Sequence, residues 1–186
     1  LTVTEYRTYD DLYEYVYGSA AVIGLQMVPI LEPTAPEAYD RAKDLGVAFQ
    51  LANFIRDVNE DLDRGRVYLP LDELEGFGVT RGDLEARVMT PSIRAALVEQ
   101  VDRVRALEES ARPGVDMLHP SSRDCIEAAR VLYCGIVDEV ERNDYDVFAS
   151  RATVPLRRRL AVAVPALRRA RRARRRFGPG TVPLPR

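Results

Sequence analysis

A row of amide, carboxylate and guanidinium side chains runs through residues 50–64 at the spacing of helical turns. This polar ladder consists of Gln50, Asn53, Asp57, Glu60, Asp61 and Arg64. At about 100° per residue, its members fall within an arc of about 100° on a helix. Apolar residues occupy the neighbouring arc, so the acids border a buried face, where a carboxylate is costly unless it is paired, hydrogen-bonded or bound to a metal. The pattern indicates a polar site at the edge of a helical core.

The acids Asp57 and Asp61 are one helical turn apart, about 6 Å at a rise of about 1.5 Å per residue. Side chains at that separation can reach one cation or two adjacent ones. Carboxylate and amide oxygens suit Mg²⁺, which is commonly shared with substrate phosphates, and they also suit Mn²⁺. We therefore predict that Asn53, Asp57 and Asp61 bind Mg²⁺, with Mn²⁺ as an alternative. A solvated acidic helix face is the competing interpretation, and Gln50 and Asn53 beside the apolar arc favour the metal site.

Cations around the ladder are suited to phosphate groups, because a guanidinium binds phosphate through paired hydrogen bonds. We predict three substrate-binding side chains, namely Gln50, Arg56 and Arg64. The segment 64–70 follows the ladder with a glycine and a second arginine, Arg66. Beside a metal site that binds substrate phosphates, this segment is a candidate flap over the substrate.

Three sequence blocks, in chain order, resemble blocks of the squalene/phytoene synthase family. They are YVYGSAAVIG at 15–24, AFQLANFIRDVNEDLDRGRVYLP at 48–70 and YCGIVDEVERNDYDVFASRATVP at 133–155. The second block is similar to the family's second aspartate-rich motif, and the likeness is greatest to bacterial phytoene synthases. The chain departs from the family pattern at Asn59, Asp63 and Cys134, none of which is a predicted ligand.

The resemblance implies an all-α fold, an isoprenoid-synthase-type helical bundle whose ligands project into a central cavity. It also places Tyr133 in that cavity, so the predicted catalytic residues are Asp57, Asp61 and Tyr133. The implied reaction is a Mg-dependent head-to-head condensation of two prenyl diphosphates in carotenoid biosynthesis. Two geranylgeranyl diphosphates would give phytoene through the cyclopropyl intermediate prephytoene diphosphate. The alternatives are squalene or dehydrosqualene synthesis from farnesyl diphosphate, and a relative that binds diphosphate without catalysis.

The family also has a first aspartate-rich motif, which the resemblance places upstream of Leu1. The other D-x-x-x-D pattern of the chain, at 40–44, lies off the ladder arc. It falls near the expected start of its helix, where acids favour the helix dipole, and we assign it a capping role. The chain is therefore expected to be the C-terminal part of a synthase, with half of a paired-carboxylate site. Alone, residues 1–186 are predicted to be inactive.

Hydrophobic periodicity and helix-boundary residues predict a single helical domain over residues 1–186. Helices are expected over 9–30, about 36–63, short pieces within 71–87, about 91–117, about 121–145 after a capping box at 121–124, and from 155 onward with an interruption at Pro165. Gly18 and Gly24 are expected to allow a close helix contact or a kink. The single histidine, His119, is assigned a structural or solvent role, because no cysteine or histidine lies near it in sequence.

Charge is divided unevenly along the chain, although the formal net charge is only −2. Twelve of the 27 basic residues are arginines after Val147, where no acid occurs, so 15 basic residues stand against 29 acidic ones before that point. The Arg-rich terminal helix and tail, 156–186, predict peripheral contact with an anionic membrane, and residues 181–186 are predicted to be disordered. No nucleic-acid partner is expected, because the acidic body repels phosphate. Without a long apolar stretch, we expect a cytoplasmic protein, peripheral to the membrane at most.

Overall fold

The computed structural model describes residues 3–178, which fold into packed helices. The α-helices are α1 (Tyr9–Val16), α2 (Val22–Ile30), α3 (Ala38–Arg56), α4 (Val58–Asp63), α5 (Leu71–Gly76), α6 (Arg81–Glu85), α7 (Pro91–Ala111), α8 (Pro120–Arg142) and α9 (Leu156–Phe177). Within the described residues, extended pairing is limited to two isolated bridges, Glu5 with Val67 and Pro33 with Leu118. The all-α prediction is confirmed for this part of the molecule.

The first predicted helix is a continuous helical run that includes α1 and α2. It begins with a reciprocal cap, because the Thr8 hydroxyl accepts from the Asp11 N–H at 3.2 Å and the Asp11 carboxylate accepts from the Thr8 N–H at 3.0 Å. Between α1 and α2, residues Tyr17–Ala21 form a π-helical turn. Such turns are frequent at functional sites, and this one contributes Ser19 and Ala20 to the wall of the cavity described below.

Helix α3 meets the π-helical turn and α2 backbone to backbone at two glycines. A Cβ on Gly24 would lie 2.4 Å from the carbonyl oxygen of Ala42, and a Cβ on Gly46 would lie 2.6 Å from that of Ala20. Both distances are shorter than van der Waals contact, so only glycine permits this approach. The predicted close contact is confirmed at Gly24. At Gly18 a Cβ would meet nothing within 4 Å, so this residue makes no such contact.

Helix α3 is the central element and packs against α2, α7 and α8. The prediction of one helix over 36–63 is wrong at one point, because Asp57 adopts a turn conformation, φ −99° and ψ 11°, that separates α3 from α4. Helical hydrogen bonding still crosses this break. The Asp57 N–H donates to the Asn53 carbonyl at 2.9 Å, and the Asp61 N–H donates to the Asp57 carbonyl at 2.8 Å. The ladder therefore keeps its spacing of one turn per step.

The acids at positions 40 and 44 have separate roles. Asp40 lies in the first turn of α3 with an exposed side chain, as its predicted capping position requires. Asp44 instead accepts a hydrogen bond of 2.7 Å from the Ser110 hydroxyl. The capping role is therefore wrong for Asp44, because tertiary packing brings α7 within reach of its carboxylate.

Two helices cover α3 on its other side, and the start of the second differs from the prediction. Helix α7 continues into a 3₁₀ turn over Arg112–Met117. Helix α8 begins at Pro120, and His119 caps it, because Nδ1 of His119 accepts from the Ser121 N–H at 3.3 Å. The capping box predicted at 121–124 is wrong, since proline occupies the first helical position and moves the cap before it. The structural role of His119 is confirmed.

Helix α9 packs along α8 and ends the described part of the chain. Pro165 lies inside α9 without ending it, so the predicted interruption is wrong. The helix continues through Pro165 although the proline ring removes one backbone hydrogen bond. Gly178, with φ 70°, ends the helix. The predicted disorder of 181–186 lies outside the described residues. In residues 3–178, no helix is both long enough and apolar enough to cross a membrane.

Candidate active site

Asp57 lies at the break between α3 and α4 and is held by two guanidinium groups. Arg56 contacts both carboxylate oxygens, with Nε 2.7 Å from Oδ1 and Nη2 2.6 Å from Oδ2. Arg151, which lies between α8 and α9, places its Nε 2.8 Å from the same Oδ1 and 3.3 Å from Glu60. Burial, the largest single influence, raises the pKa of Asp57, but hydrogen bonds and charges from Arg56 and Arg151 together lower this pKa below its usual value.

Asp61, one turn later, is the more buried of the two acids. The residue is 9% exposed, and Nη1 of Arg64 lies 3.3 Å from its Oδ1. Burial raises the pKa of Asp61, and the negative charge of Asp57 raises it further against the opposing effect of Arg64 and Arg66. The two acids are therefore near enough to repel each other, and a cation bound between them would relieve that repulsion.

Asn53 supplies an oxygen one turn before Asp57. Its Oδ1 is buried and has no hydrogen-bond partner in the described structure, although buried polar oxygens nearly always have one. An unpartnered amide oxygen in line with two carboxylates fits the ligand set that Mg²⁺ takes. Within residues 3–178, no three His, Cys, Asp or Glu side chains form a group that could hold a metal ion. The three predicted ligands, Asn53, Asp57 and Asp61, thus offer two carboxylates and one amide oxygen, and water and phosphate oxygens would complete the coordination of the metal.

A cavity of about 310 Å³ adjoins the ladder between α2, α3 and α8. Most of its wall is apolar and includes Ile23, Met27, Leu45, Val115, Leu118 and Ile126. The polar lining includes Gln50 and Asn53. At the same wall the ring of Tyr133 stacks on Phe49, with ring centroids 4.5 Å apart and planes at 21°. The arrangement combines an apolar chamber with polar groups along one edge.

Family comparison accounts for this combination. The sequence model of the squalene/phytoene synthase family matches residues 1–158, which is most of the chain and includes the ladder, Tyr133 and Arg151. The chain belongs to the squalene/phytoene synthase family.

Curated members of the family are similar to this chain over most of its length. Phytoene synthase 1 of Solanum lycopersicum is 40% identical over 171 residues, which cover 89% of this chain and 41% of that protein. The 15-cis-phytoene synthase of Synechococcus elongatus is 38% identical over 182 residues, which cover 91% of this chain and 59% of that protein. The chain therefore spans about half the length of these relatives.

Solved structures of family enzymes share the fold. A dehydrosqualene synthase in complex with a ligand superimposes with a TM-score of 0.79 at 26% identity, covering 94% of this chain and 60% of that one. The squalene synthase of Alicyclobacillus acidocaldarius gives 0.74 at 29% identity, covering 77% of this chain and 55% of that one. The prediction of an isoprenoid-synthase-type helical bundle is confirmed.

The structure distributes the predicted site residues between the cavity wall and the ladder. Gln50, Asn53 and Tyr133 line the cavity. Arg56 pairs with Asp57, and Arg64 pairs with Asp61. The two arginines are thus partners of the acids in this structure, and their contact with substrate stays a prediction, as do the metal ligands and the catalytic roles.

Sequence reasoning missed Arg151. This residue is 94 positions from Asp57 in the chain. Its place in the third family-like block was the only feature of the sequence that could have marked it as a site residue. The missed contact matters because Arg151 is the one described residue outside α3 and α4 that donates a hydrogen bond to the Asp57 carboxylate.

The predicted flap, 64–70, is packed against the body. Val67, Tyr68 and Leu69 are buried, and the Tyr68 ring stacks on Phe54 with centroids 4.2 Å apart. The Arg66 N–H donates to the Asp61 carbonyl at 2.8 Å. This anchoring brings Arg66 next to the ladder, and movement of the segment stays a prediction.

Proposed function

We propose that the complete protein joins two prenyl diphosphates head to head, and that two geranylgeranyl diphosphates give phytoene through prephytoene diphosphate in carotenoid biosynthesis. The observation that carries this proposal is that the polar ladder begins in the wall of an apolar cavity, where Gln50 and Asn53 form part of the lining. A prenyl diphosphate is divided in the same way, with an apolar chain and an anionic head. Relatives named phytoene synthase, at 38% to 41% identity, support this product.

In this proposal, Asn53, Asp57 and Asp61 hold Mg²⁺, or Mn²⁺ in its place. When bound, the metal supplies positive charge that stabilises the leaving diphosphate. Support comes from the buried, unpartnered Oδ1 of Asn53 and from the mutual repulsion of the two acids.

Arg56 and Arg151 hold Asp57 in place and bring two positive charges to the diphosphate end of the cavity. Both contact Asp57 through guanidinium nitrogens, and a guanidinium can form paired hydrogen bonds with a phosphate as readily as with a carboxylate. When a cation neutralises Asp57, either arginine can turn toward the diphosphate without leaving a buried charge uncompensated. Arg64, beside Asp61, has the same option, and Gln50 offers an amide to the bound substrate.

The cavity walls protect the reacting carbon. Loss of diphosphate leaves positive charge on a prenyl chain, and water would trap it. Apolar walls exclude water from this space. The stacked rings of Phe49 and Tyr133 lie at the wall, where the negative face of an aromatic ring attracts a cation. We assign Tyr133 a catalytic contact with the substrate or intermediate on this basis.

Squalene or dehydrosqualene synthesis from farnesyl diphosphate is the second candidate. The specific observation in its favour is the similarity of fold to a dehydrosqualene synthase and a squalene synthase, with TM-scores of 0.79 and 0.74. The sequence identities to these two enzymes, 26% and 29%, are lower than those to the phytoene synthases. We therefore place phytoene first.

A product assay on the complete protein containing residues 1–186 tests both candidates. Geranylgeranyl and farnesyl diphosphate are supplied separately with Mg²⁺, with and without NADPH, and products are identified by chromatography and mass. Asp57→Ala serves as the site variant. Asp40→Asn is the matched control, because Asp40 is an exposed acid of the same helix outside the ladder.

Phytoene from geranylgeranyl diphosphate, lost in Asp57→Ala and kept in Asp40→Asn, is the expected result. Formation of squalene or dehydrosqualene from farnesyl diphosphate would instead support the second candidate. Mg²⁺-dependent diphosphate binding without any product would refute the enzyme and identify a binding relative.

A further inference from the structure

Helix α9 presents an apolar stripe that no other part of the described chain covers. The leucines at positions 156, 160 and 167 are 62%, 53% and 52% exposed, and Val164 is 39% exposed. At about 100° per residue, these four side chains fall within an arc of about 80°. Exposed leucines are ordinary when scattered, but a continuous stripe on one helix marks an interaction surface.

Arginines occupy the adjacent face of α9. The helix contains ten arginines and no acid. Seven of the ten form no ion pair with any residue of the described chain, namely Arg157, Arg159, Arg168, Arg171, Arg172, Arg175 and Arg176. On the same helical wheel, Arg157, Arg168, Arg171 and Arg175 fall at about 60° to 120° from Leu156, beside the apolar stripe.

The other three arginines fix the orientation of α9 on the body. Arg158 pairs with Asp138 at 3.0 Å, Arg169 with Asp124 at 2.5 Å and Arg174 with Glu32 at 3.2 Å. Buried Ala166 lies on the side of α9 away from the stripe. On the wheel, Arg158, Arg169 and Ala166 fall at about 200° to 280° from Leu156, on the side opposite the stripe, so the leucines and the four arginines beside them are held outward. Arg174 falls near the angle of Leu156, and its long side chain reaches Glu32 at the C-terminal end of the helix.

Most of α9 also lies outside the part of the chain that carries the family's chemistry. The family match ends at residue 158, two residues after the helix begins. The outward surface is therefore not part of the ladder or the cavity, and it needs a separate explanation.

We propose that the outward face of α9 docks the protein on an anionic lipid bilayer. The helix lies in the plane of the interface, with Leu156, Leu160 and Leu167 at the acyl boundary and the unpaired arginines on lipid phosphates. The charge distribution orients this contact. The chain before Val147 has 15 basic residues and 29 acidic ones, so its net negative charge is repelled by an anionic surface and turns that part of the protein away from the bilayer.

A nucleic acid fits this surface less well than a bilayer does. Phosphate contacts would use the arginines, but they would leave the leucine stripe exposed to water. A bilayer accommodates both groups in one geometry, since its headgroups carry phosphate and its interior is apolar.

The test is co-sedimentation of the full chain with vesicles of phosphatidylglycerol and phosphatidylcholine, and with vesicles of phosphatidylcholine alone. The charge variant is Arg171→Gln with Arg175→Gln, and its control is Arg7→Gln with Arg112→Gln, which removes the same charge from exposed positions outside α9. Each arginine near an anionic surface changes the affinity by a factor of about five to six. Loss of two should therefore weaken binding of the charge variant to anionic vesicles by about 30-fold. The control should bind like the unmodified chain.

A second variant, Leu156→Ser with Leu160→Ser and Leu167→Ser, tests the stripe. It should reduce the binding that remains at high salt, where charge attraction is screened, and Val88→Ser is its control at another exposed apolar position. No pelleting with anionic vesicles, or equal pelleting of all variants, would overturn the proposal. Salt-sensitive binding of random-sequence duplex DNA in filter assays, without vesicle binding, would assign the surface to nucleic acid instead. None of these readouts depends on synthase activity.

Discussion

Arg151 and Asp57 are 94 positions apart in the chain, yet Nε of Arg151 lies 2.8 Å from Oδ1 of Asp57. Arg56, the neighbour of Asp57 in sequence, contacts the same oxygen at 2.7 Å. One carboxylate therefore receives a local and a distant cation. This relationship ties the segment after α8 to the ladder on α3 and α4, and it makes Asp57 the point where the two parts of the site meet.

Asp57→Asn should reduce product formation by the complete protein by about 100- to 1,000-fold, because the variant removes a metal-binding charge while keeping the shape of the side chain. Steady-state kinetics at saturating Mg²⁺ measure this loss. Asp40→Asn, on the exposed start of α3, should keep full activity. Comparable activity of the two variants would remove Asp57 from the proposed site.

Arg151→Gln should lower the free energy of unfolding of the metal-free protein at pH 7 and have less effect in acid. The pKa of Asp57 is lowered in the folded state, partly by Arg151. Its contribution to stability is therefore present above the unfolded pKa of 3.8 and is lost as pH falls through the folded pKa. Urea unfolding across this range measures the difference, with Arg112→Gln as the control. A deficit that is constant with pH would contradict the linkage to Asp57.

Asp61→Asn should make the protein more stable and less active. The pKa of Asp61 is raised in the folded state, chiefly by burial. The carboxylate therefore costs stability as pH rises above the unfolded pKa of 3.8, and the full cost is present above the folded pKa. The amide removes this cost at pH 7, and the gain should shrink as pH falls toward the unfolded pKa of 3.8. We expect a gain of about 0.5 to 1 kcal/mol, a rise of a few degrees in Tm. An unchanged or lower Tm at pH 7 would show that Asp61 is not strained by burial.

Gly46→Ala should destabilise the chain by about 1 to 3 kcal/mol, because the new methyl group on α3 would press on the Ala20 carbonyl of the π-helical turn. Gly18→Ala is the matched control. It adds the same methyl group in open space and should leave stability unchanged or slightly raised. Thermal unfolding of the two variants decides the point, and equal stability would mean that the helices can separate without cost.

Residues 1–186 alone should form no product from either prenyl diphosphate, because Asp57 and Asp61 are one pair of metal-binding acids for a reaction that binds two diphosphates. The assay uses the purified chain at high enzyme concentration, beside the complete protein. Thermal unfolding with inorganic diphosphate and Mg²⁺ controls for folding, since ligand binding to the folded chain should raise Tm. Robust turnover by the isolated chain would refute the prediction.

The local part of this protein is readable from sequence. The steps from Asn53 to Asp57 to Asp61 are four residues each, and the backbone hydrogen bonds across the turn at Asp57 preserve that spacing. Hydrophobic periodicity likewise predicted the helices, because burial of one face imposes a period on the chain. The error at Asp44 arose because a neighbour in space, Ser110 of α7, replaced its neighbours in sequence as the partner of the carboxylate. The misplaced start of α8 was instead a local error, caused by proline at the first helical position.

By itself, then, the sequence determined the helices, the ladder and its alignment along one edge, all of which depend on residues within one or two turns of each other. Only the tertiary structure decided that Arg151 reaches Asp57, that Tyr133 stacks on Phe49 at the cavity wall, and that α9 turns its leucines outward. Those contacts depend on how helices distant in sequence pack together, and helix packing is determined by side-chain shape across whole faces. No local spacing encodes that geometry.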